Sequence, residues 1–335
     1  MVRLKDIAKK TGYSVNTVSL ALRDSSRLSK QTRQQIQAVA KTLNYRPNQI
    51  AKSLVSRQSN IIGLIVTDIR NPLLTHVAQA VEKELASKKY GVLFGTSNDD
   101  VEIEKQVVEM FRARQVDGIL AYPKSQEDME HLYSLRAEGF PIVSLVKDPL
   151  GKIDVVSVDD EVGAMLATEH LINQGHTKIG MVDTLWPMDK KDKYNGYKKA
   201  MQKHNLEPMF GWNEDLECHT LARGHNAMDN IMSQDVKPTA IFAIIDNFAL
   251  GVLRWAEKNN IKIPNDIALI GYDNIEYGEY ASVPLSSMNY DVDLVSKLAV
   301  ARLIELIGAG SNLPEPRTTL IEPQLVIRES SVVTT

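Results

Sequence analysis

The side chains best suited to chemistry in this 335-residue sequence are cations, and they are unevenly placed. Twelve lie within residues 1–59: Arg3, Lys5, Lys9, Lys10, Arg23, Arg27, Lys30, Arg33, Lys41, Arg46, Lys52 and Arg57. Only Asp6 and Asp24 oppose them, so this segment carries +10 while the remainder carries −13. Cations at such density neutralise phosphates, and a basic head on an acidic body is the electrostatic footprint of nucleic-acid binding at one end. A merely solvated basic face is the bland alternative. Turn and cap signals inside the segment argue against it.

Catalytic chemistry is not signalled. The sequence has no GxGxxG after a strand, no GxxxxGK[ST], no GxSxG and no HExxH. Its seven histidines show no metal-ligand spacing, and the pairs Asp99-Asp100 and Asp159-Asp160 are adjacent, so their carboxylates diverge. The single cysteine, Cys218, excludes a disulfide within the chain and a Cys-rich zinc site. The expectation is a protein that is not an enzyme and needs no cofactor or metal. Apolar residues at 43% and charged residues at 24% are ordinary for a soluble protein. The opening MVRLKDIAKKTGYS has no apolar secretory core, and no run approaches the length of a membrane span. A cytoplasmic, nucleoid-associated protein is expected.

The elements that must position these charges can be read from periodicity. Leu4 to Lys10 places Leu4, Ile7 and Ala8 on one helical face, and Gly12 supplies a turn. Ser14 suits the N-cap of a second helix from Val15 to Arg23, with Val18, Ala21 and Leu22 pointing inward. Ser29 caps a third helix through Leu43, striped by Ile36, Val39, Ala40 and Leu43. Pro47 ends that helix and permits a new first turn. The stretch from Asn48 to Ser56 has helical composition but is too short to be stable alone in water, and 56–60 reads as a linker.

From Ile61 the pattern becomes apolar runs alternating with amphipathic helices. Strands are expected at 61–66, 90–95, 116–122, 140–146, 155–159, 178–183, 240–245 and 267–273. Helices are expected at 73–88, 101–114, 161–174 and 247–259, among others. These are too many strands for one comfortable sheet, so two doubly wound parallel-sheet subdomains are expected, with a ligand between them at the strands' carboxyl ends.

Several spaced motifs now carry a resemblance. Leu4-Lys5-Asp6-Ile7-Ala8, Gly12-Tyr13-Ser14, Thr17-Val18-Ser19 and Leu43-Asn44-Tyr45-Arg46-Pro47-Asn48 resemble the head of the LacI/GalR family of repressors. Asp117-Gly118-Ile119, Glu169-His170-Leu171-Ile172, Gly175-His176, Pro238-Thr239-Ala240-Ile241-Phe242 and Gly271-Tyr272-Asp273 fall at the family's positions in the body. The resemblance spans the chain. It implies an N-terminal three-helix helix-turn-helix head (1–47), a hinge helix and linker (48–60) and an α/β periplasmic-binding-protein-like body (61–335). The body would divide into an N-subdomain, about 61–160 plus 290–318, and a C-subdomain, about 161–289 plus 319–335. A homodimer, or a tetramer of two dimers, would bind double-stranded, near-palindromic operator DNA.

The same resemblance assigns residues. The second helix would enter the major groove with Val15, Asn16 and Leu20 at base-reading positions. Asn16 can pair bidentately with adenine, Val15 offers only apolar contact, and Leu20 stands where many members have Arg. Ser14, Thr17, Ser19, Ser29, Thr32 and Asn48 are placed to hold phosphates, a role compatible with capping by Ser14 and Ser29. Leu54 matches the family's minor-groove wedge, with Ala51 small enough to admit a paired hinge helix.

For the effector, Asp246 begins the helix after AIFAII, where its carboxylate could accept sugar hydroxyls; a simple helix N-terminal acid is the alternative. Lys193 stands three residues before Gly196, where the family usually has Arg, and an ammonium cannot form the bidentate fork. His219 falls at a position relatives fill with a stacking aromatic. Asp68, Asn71, Tyr122 and Trp186 lie in loops after strands as pocket lining, Trp186 being equally readable as a surface aromatic. Asp273 belongs to the Gly-Tyr-Asp motif and has a structural reading as well. Lys147, Lys191 and Lys193 tilt the expectation toward an acidic or phosphorylated sugar, with a neutral sugar as the alternative. A transport-binding protein would share the body's fold, but the basic head argues against it.

Overall fold

A computed structural model describes residues 2–45, 58–183, 192–212, 220–310 and 312–332. They form two compact units, Met1–Ser59 and Asn60–Thr335.

In the first unit, α1 (Leu4–Thr11), α2 (Val15–Leu22) and α3 (Lys30–Thr42) close over Ile7, Val18, Ala21, Ile36 and Ala40. Each boundary has a local cause. The Asp6 carboxylate accepts the Arg3 N–H at 2.7 Å, and Gly12 takes φ +75°, which lets its N–H reach the Ala8 carbonyl. Ser14 and Ser29 accept the Thr17 and Thr32 N–H groups, each at 3.1 Å. The Gln37 amide donates to the Ala21 carbonyl at 3.0 Å, tying α3 to the end of α2. With so few buried side chains, these polar ties matter more than in a large core.

The second unit holds two six-stranded sheets. The first has the order β11-β5-β4-β3-β1-β2, all parallel: β1 (Ile61–Val66), β2 (Gly91–Thr96), β3 (Gly118–Ala121), β4 (Ile142–Ser144), β5 (Asp154–Val158) and β11 (Thr318–Ile321). The second has the order β12-β10-β9-β8-β6-β7: β6 (Ile179–Val182), β7 (Met209–Gly211), β8 (Ala240–Ala243), β9 (Ala268–Asp273), β10 (Ser286–Asn289) and β12 (Gln324–Val326). Only β12 runs antiparallel to its neighbour.

Both faces of both sheets are covered, as near-continuous apolar strands require. Ile62, Leu64 and Val66 pack under α4 (Pro72–Ser87) and α12 (Val292–Ala309), while Ile65 faces Phe111 of α5 (Val101–Ala113) and Leu132 of α6 (Glu130–Ala137). In the second sheet, Met181, Phe242 and Ile270 pack on α7 (Asp160–Asn173) and α8 (Asp192–Lys203). Its other face meets α9 (Thr220–Met232) and α10 (Asp246–Lys258). The four-residue α11 (Glu276–Glu279) precedes β10.

The chain passes between the sheets three times: from β5 into α7, from β10 into α12, and from β11 into β12. The third passage lies beyond the expected 318/319 boundary, because Thr318–Ile321 pairs in parallel with β5 of the first sheet. That strand was hard to read in advance. It alternates exposed and half-buried positions at a sheet edge, without the apolar run of a central strand.

Helices α7 and α8 pack closely because Gly196 has no side chain: a Cβ there would lie 2.0 Å from the Glu161 carbonyl oxygen and 2.9 Å from Ala164 Cβ. Gly196→Ala should therefore destabilise the second unit by about 1–3 kcal/mol from overpacking, although alanine is the better helix former. Denaturant unfolding checks this. An unchanged or raised midpoint would show that the two helices can separate freely.

Candidate functional site

On α2 the sequence separates two faces. Val18 and Ala21 are buried, so Val15, Asn16, Ser19 and Leu20, at i, i+1, i+4 and i+5, share the outward side. Val15 is 39% exposed, which is a large apolar surface for a first-turn residue. Ser14 and Ser29 are both caps, and each hydroxyl also meets a threonine hydroxyl: Ser14–Thr17 at 2.9 Å and Ser29–Thr32 at 2.8 Å. Capping leaves these oxygens exposed at helix N-termini, where backbone dipoles favour an anion. Of the other head positions singled out, Asn48, Ala51 and Leu54 lie outside the described residues.

In the body, strand order reverses between β1 and β3 and between β6 and β8, which opens a crevice at the carboxyl ends of both sheets. A cage of charge and aromatic rings occupies it. The Lys193 ammonium donates to the Ile244 carbonyl at 3.0 Å and lies 3.7 Å from the centroid of the Tyr272 ring. Asp160 Oδ1 and Asp273 Oδ1 each lie 3.9 Å from it. A ring face, two carboxylates and a carbonyl can hold a cation away from water. Asp273 keeps φ +104°, a region that residues with a Cβ seldom enter. The local fold tolerates this strain where the side chain meets Lys193.

Burial holds the Asp273 carboxyl well above the usual range; Lys193 opposes this, and Asp246 and Asp160 add to it. Burial likewise raises the hydroxyls of Tyr122, Tyr272 and Tyr290, each further raised by the charges of Asp160 and Asp273. These phenols therefore stay neutral donors at physiological pH.

The predicted body residues divide accordingly. Lys193, Asp273 and Tyr122 come together at the cage. Lys147 reaches its rim, where its ammonium meets Asp192 Oδ1 at 3.2 Å. Asp246 is turned inward: it is fully buried, its Oδ2 accepts the Ile275 N–H at 2.8 Å and its Oδ1 accepts the Ser287 hydroxyl at 2.7 Å. Both oxygens are engaged within the protein, which corrects the expectation that they face sugar hydroxyls. Asp68 pairs with Arg70 at 2.8 Å, and Asn71 caps α4 through the Leu73 N–H, so neither joins the cage through a side-chain bond. Trp186, Lys191 and His219 lie outside the described residues.

Asp160, Asp192, Tyr272, Tyr290 and Ser287 were not anticipated. Asp159 and Asp160 do diverge, as adjacency demands: Asp159 caps α7 through the Val162 N–H, while Asp160 turns to Lys193. A carboxylate directly after a buried strand was the available signal. Among the described residues, no group of three or more His, Cys, Asp or Glu could hold a metal ion, and no helix is long and apolar enough to cross a membrane.

Residues 3–48 match the family model of bacterial regulatory proteins, lacI family, and residues 168–331 match that of the periplasmic binding protein-like domain. The HTH-type transcriptional repressor PurR of Vibrio campbellii is 29% identical over 334 residues, with 98% of each chain covered. The ribose operon repressor of Haemophilus influenzae is 31% identical over 338 residues, again with 98% of each chain covered. Among solved structures, the lac repressor dimer bound to operator and the anti-inducer ONPF shares the fold, with a TM-score of 0.89, 24% identity and 99% of each chain covered.

Burial pushes the Asp246 carboxyl up to about 7, against the downward pull of its bonds from Ser287 and Ile275 and of the Lys193 and Arg328 charges. A carboxyl raised in the folded state contributes stability that is fully present below its ordinary value near 3.8 and lost as pH rises through about 7. Asp246→Asn can still accept from Ile275 and donate to Ser287, but it cannot ionise. Wild-type Tm should fall from pH 5 to pH 8 more steeply than that of Asp246→Asn. Parallel slopes would mean that Asp246 does not titrate in this window.

Proposed function

The chain belongs to the lacI family of bacterial regulatory proteins, and from that premise we propose a cytoplasmic homodimer that represses a carbohydrate-utilisation operon and answers to a sugar or sugar derivative. Membership makes it a DNA-binding transcriptional repressor rather than an enzyme. The observation that carries the DNA half of the reading is the outward face of α2 on a +10 segment. Val15, Asn16 and Leu20 read base edges; Ser14, Thr17, Ser19, Ser29, Thr32 and Asn48 fix the register on phosphates. Leu54, with Ala51 beside its partner hinge, opens a central base step in the minor groove.

The cage carries the effector half. Neutral phenols, an ammonium and two carboxylates around ring faces offer the mixed donors and acceptors that a polyhydroxylated ligand needs. The name of the ribose operon repressor supports a carbohydrate. Lys147 and Lys193 are already matched by Asp192, Asp160 and Asp273, so the reading favours a neutral sugar over a phosphorylated one. Asp246 acts from behind, holding the Ile275 backbone N–H and the Ser287 hydroxyl.

Two measurements test these halves separately. On an operator selected from random duplexes, log K should fall by about 0.9 per log unit of salt for each phosphate neutralised. Asn16→Ala should lose about 1–3 kcal/mol on that operator and little on random DNA. Equal losses on both would remove Asn16 from base reading. In a thermal-shift screen, neutral sugars should stabilise the protein, by about 2.7 kcal/mol at a hundredfold excess over Kd. A shift given only by nucleobases or sugar phosphates would overturn the neutral carbohydrate.

A further inference from the structure

Lys147 follows β4 of the first sheet, and Asp192 opens α8, which packs on the second. Their ion pair at 3.2 Å is the only one among the described residues that joins the two sheets' subdomains across the crevice. With Asp160 counted in the second subdomain as the first residue of α7, all other described ion pairs of the body stay within one subdomain, including the buried pairing of Asp154 with Arg302 and Arg136. The pair is partly shielded: the Lys147 side chain is 35% exposed and that of Asp192 17%. Asp192 also sits in the first turn of α8, where the helix dipole favours an anion. Next to it in sequence, Lys193 anchors the cage, so one helical turn carries both the cross-subdomain contact and the cage cation.

We propose that Lys147 and Asp192 are positioning residues, a latch that biases the effector-free body toward one closure angle of its two subdomains. The groups facing Asp192 are consistent with a contact that forms and breaks. Burial raises its carboxyl, Lys147 lowers it, and Asp160 and Glu161 raise it again. The carboxylate therefore depends on one cation that belongs to the other subdomain. A partly exposed pair of this kind is weak, and a weak bias suits a device that a ligand must overrule. The inference rests on the cleft being the effector site, but its geometry does not require knowing the effector.

The test uses full-length protein without ligand. Cys218 is replaced by Ser, nitroxide labels are placed at Asp128→Cys and His204→Cys, and labelled chains are mixed with excess unlabelled protein. Inter-label distances are then measured for wild type, Lys147→Ala, Asp192→Ala and the exchange Lys147→Asp with Asp192→Lys. Each alanine variant should raise the population outside the wild-type distance peak about two- to fivefold, the range expected for an exposed ion pair. The exchange should restore the peak, and 1 M salt should mimic the alanine variants in wild type. Identical distributions in all four proteins at both salts would overturn the latch, as would an exchange that behaves like the single variants. Failure of the sugar reading looks different: no sugar shifts Tm, while the distances still respond to charge and salt.

Discussion

An ammonium group held at the carboxyl end of the second sheet constrains much of the body. For Lys193 to sit 3.7 Å above the Tyr272 ring with carboxylates on two sides, α8 must approach α7 closely enough that Gly196 has no room for a Cβ. Strand β9 must end in the unusual φ of Asp273, and α7 must begin at Asp160. A cation taken from water is tolerated only when partners replace its hydration, so these requirements stand or fall together. Removing one carboxylate would leave the ammonium under-matched. Removing the ammonium would leave the buried Asp273 and the half-buried Asp160 without the cation that lies between them.

A second network supports the first from behind. Asp246 accepts from Ser287 and from the Ile275 backbone; the Ser287 oxygen in turn accepts the Asn274 N–H at 3.0 Å, and the Asn274 amide donates to Asn289 at 3.1 Å. Asn289 ends β10, directly before the chain passes back to the first sheet. Hydrogen bonds thus run from Asp246 to one of the three inter-sheet passages, and Asn274 of this network directly follows the cage residue Asp273 in the chain. Gly271 belongs to the same arrangement, because a Cβ there would lie 2.1 Å from Asp246 Oδ1. The Gly-Tyr-Asp motif thus has a physical basis residue by residue: space for a buried acid, a ring for the ammonium and a carboxylate beside it.

How far the sequence made this legible depended on whether a feature was local. The caps at Ser14 and Ser29, the turn at Gly12 and the inward stripes of the head depend on neighbours within a few residues, and periodicity revealed them. Central strands such as Ile61–Val66 and Ala268–Asp273 were visible as apolar runs. Strands β7, β10, β11 and β12 were not, since none sits in a long apolar run, and Ser286-Ser287 and Thr318-Thr319 look like loop. The site was harder still. Asp246 looked like a ligand-facing acid because it follows a strand and opens a helix; only the packing of Ser287 and Ile275, some thirty to forty residues away in sequence, turns it inward. Lys193 was visible as a candidate, yet its partners Asp160 and Tyr272 come from separate elements.

The location of the cage also determines what a ligand could change. Asp160 stands at one passage between the sheets, and Tyr290 at another, where its hydroxyl faces the Leu145 carbonyl at 3.5 Å. A ligand seated there would touch residues at two of the three passages that join the subdomains. Energy limits the effect. A ligand that engaged the cage equally at every closure angle would change nothing, however tightly it bound. To move the equilibrium it must gain contacts at one angle that it lacks at another, and groups on opposite sides of the crevice supply such contacts. Tyr122 follows a strand of the first sheet, whereas Lys193 and Asp273 belong to the second. A ligand bridging these groups would register the angle directly, and one held by the second sheet alone would not.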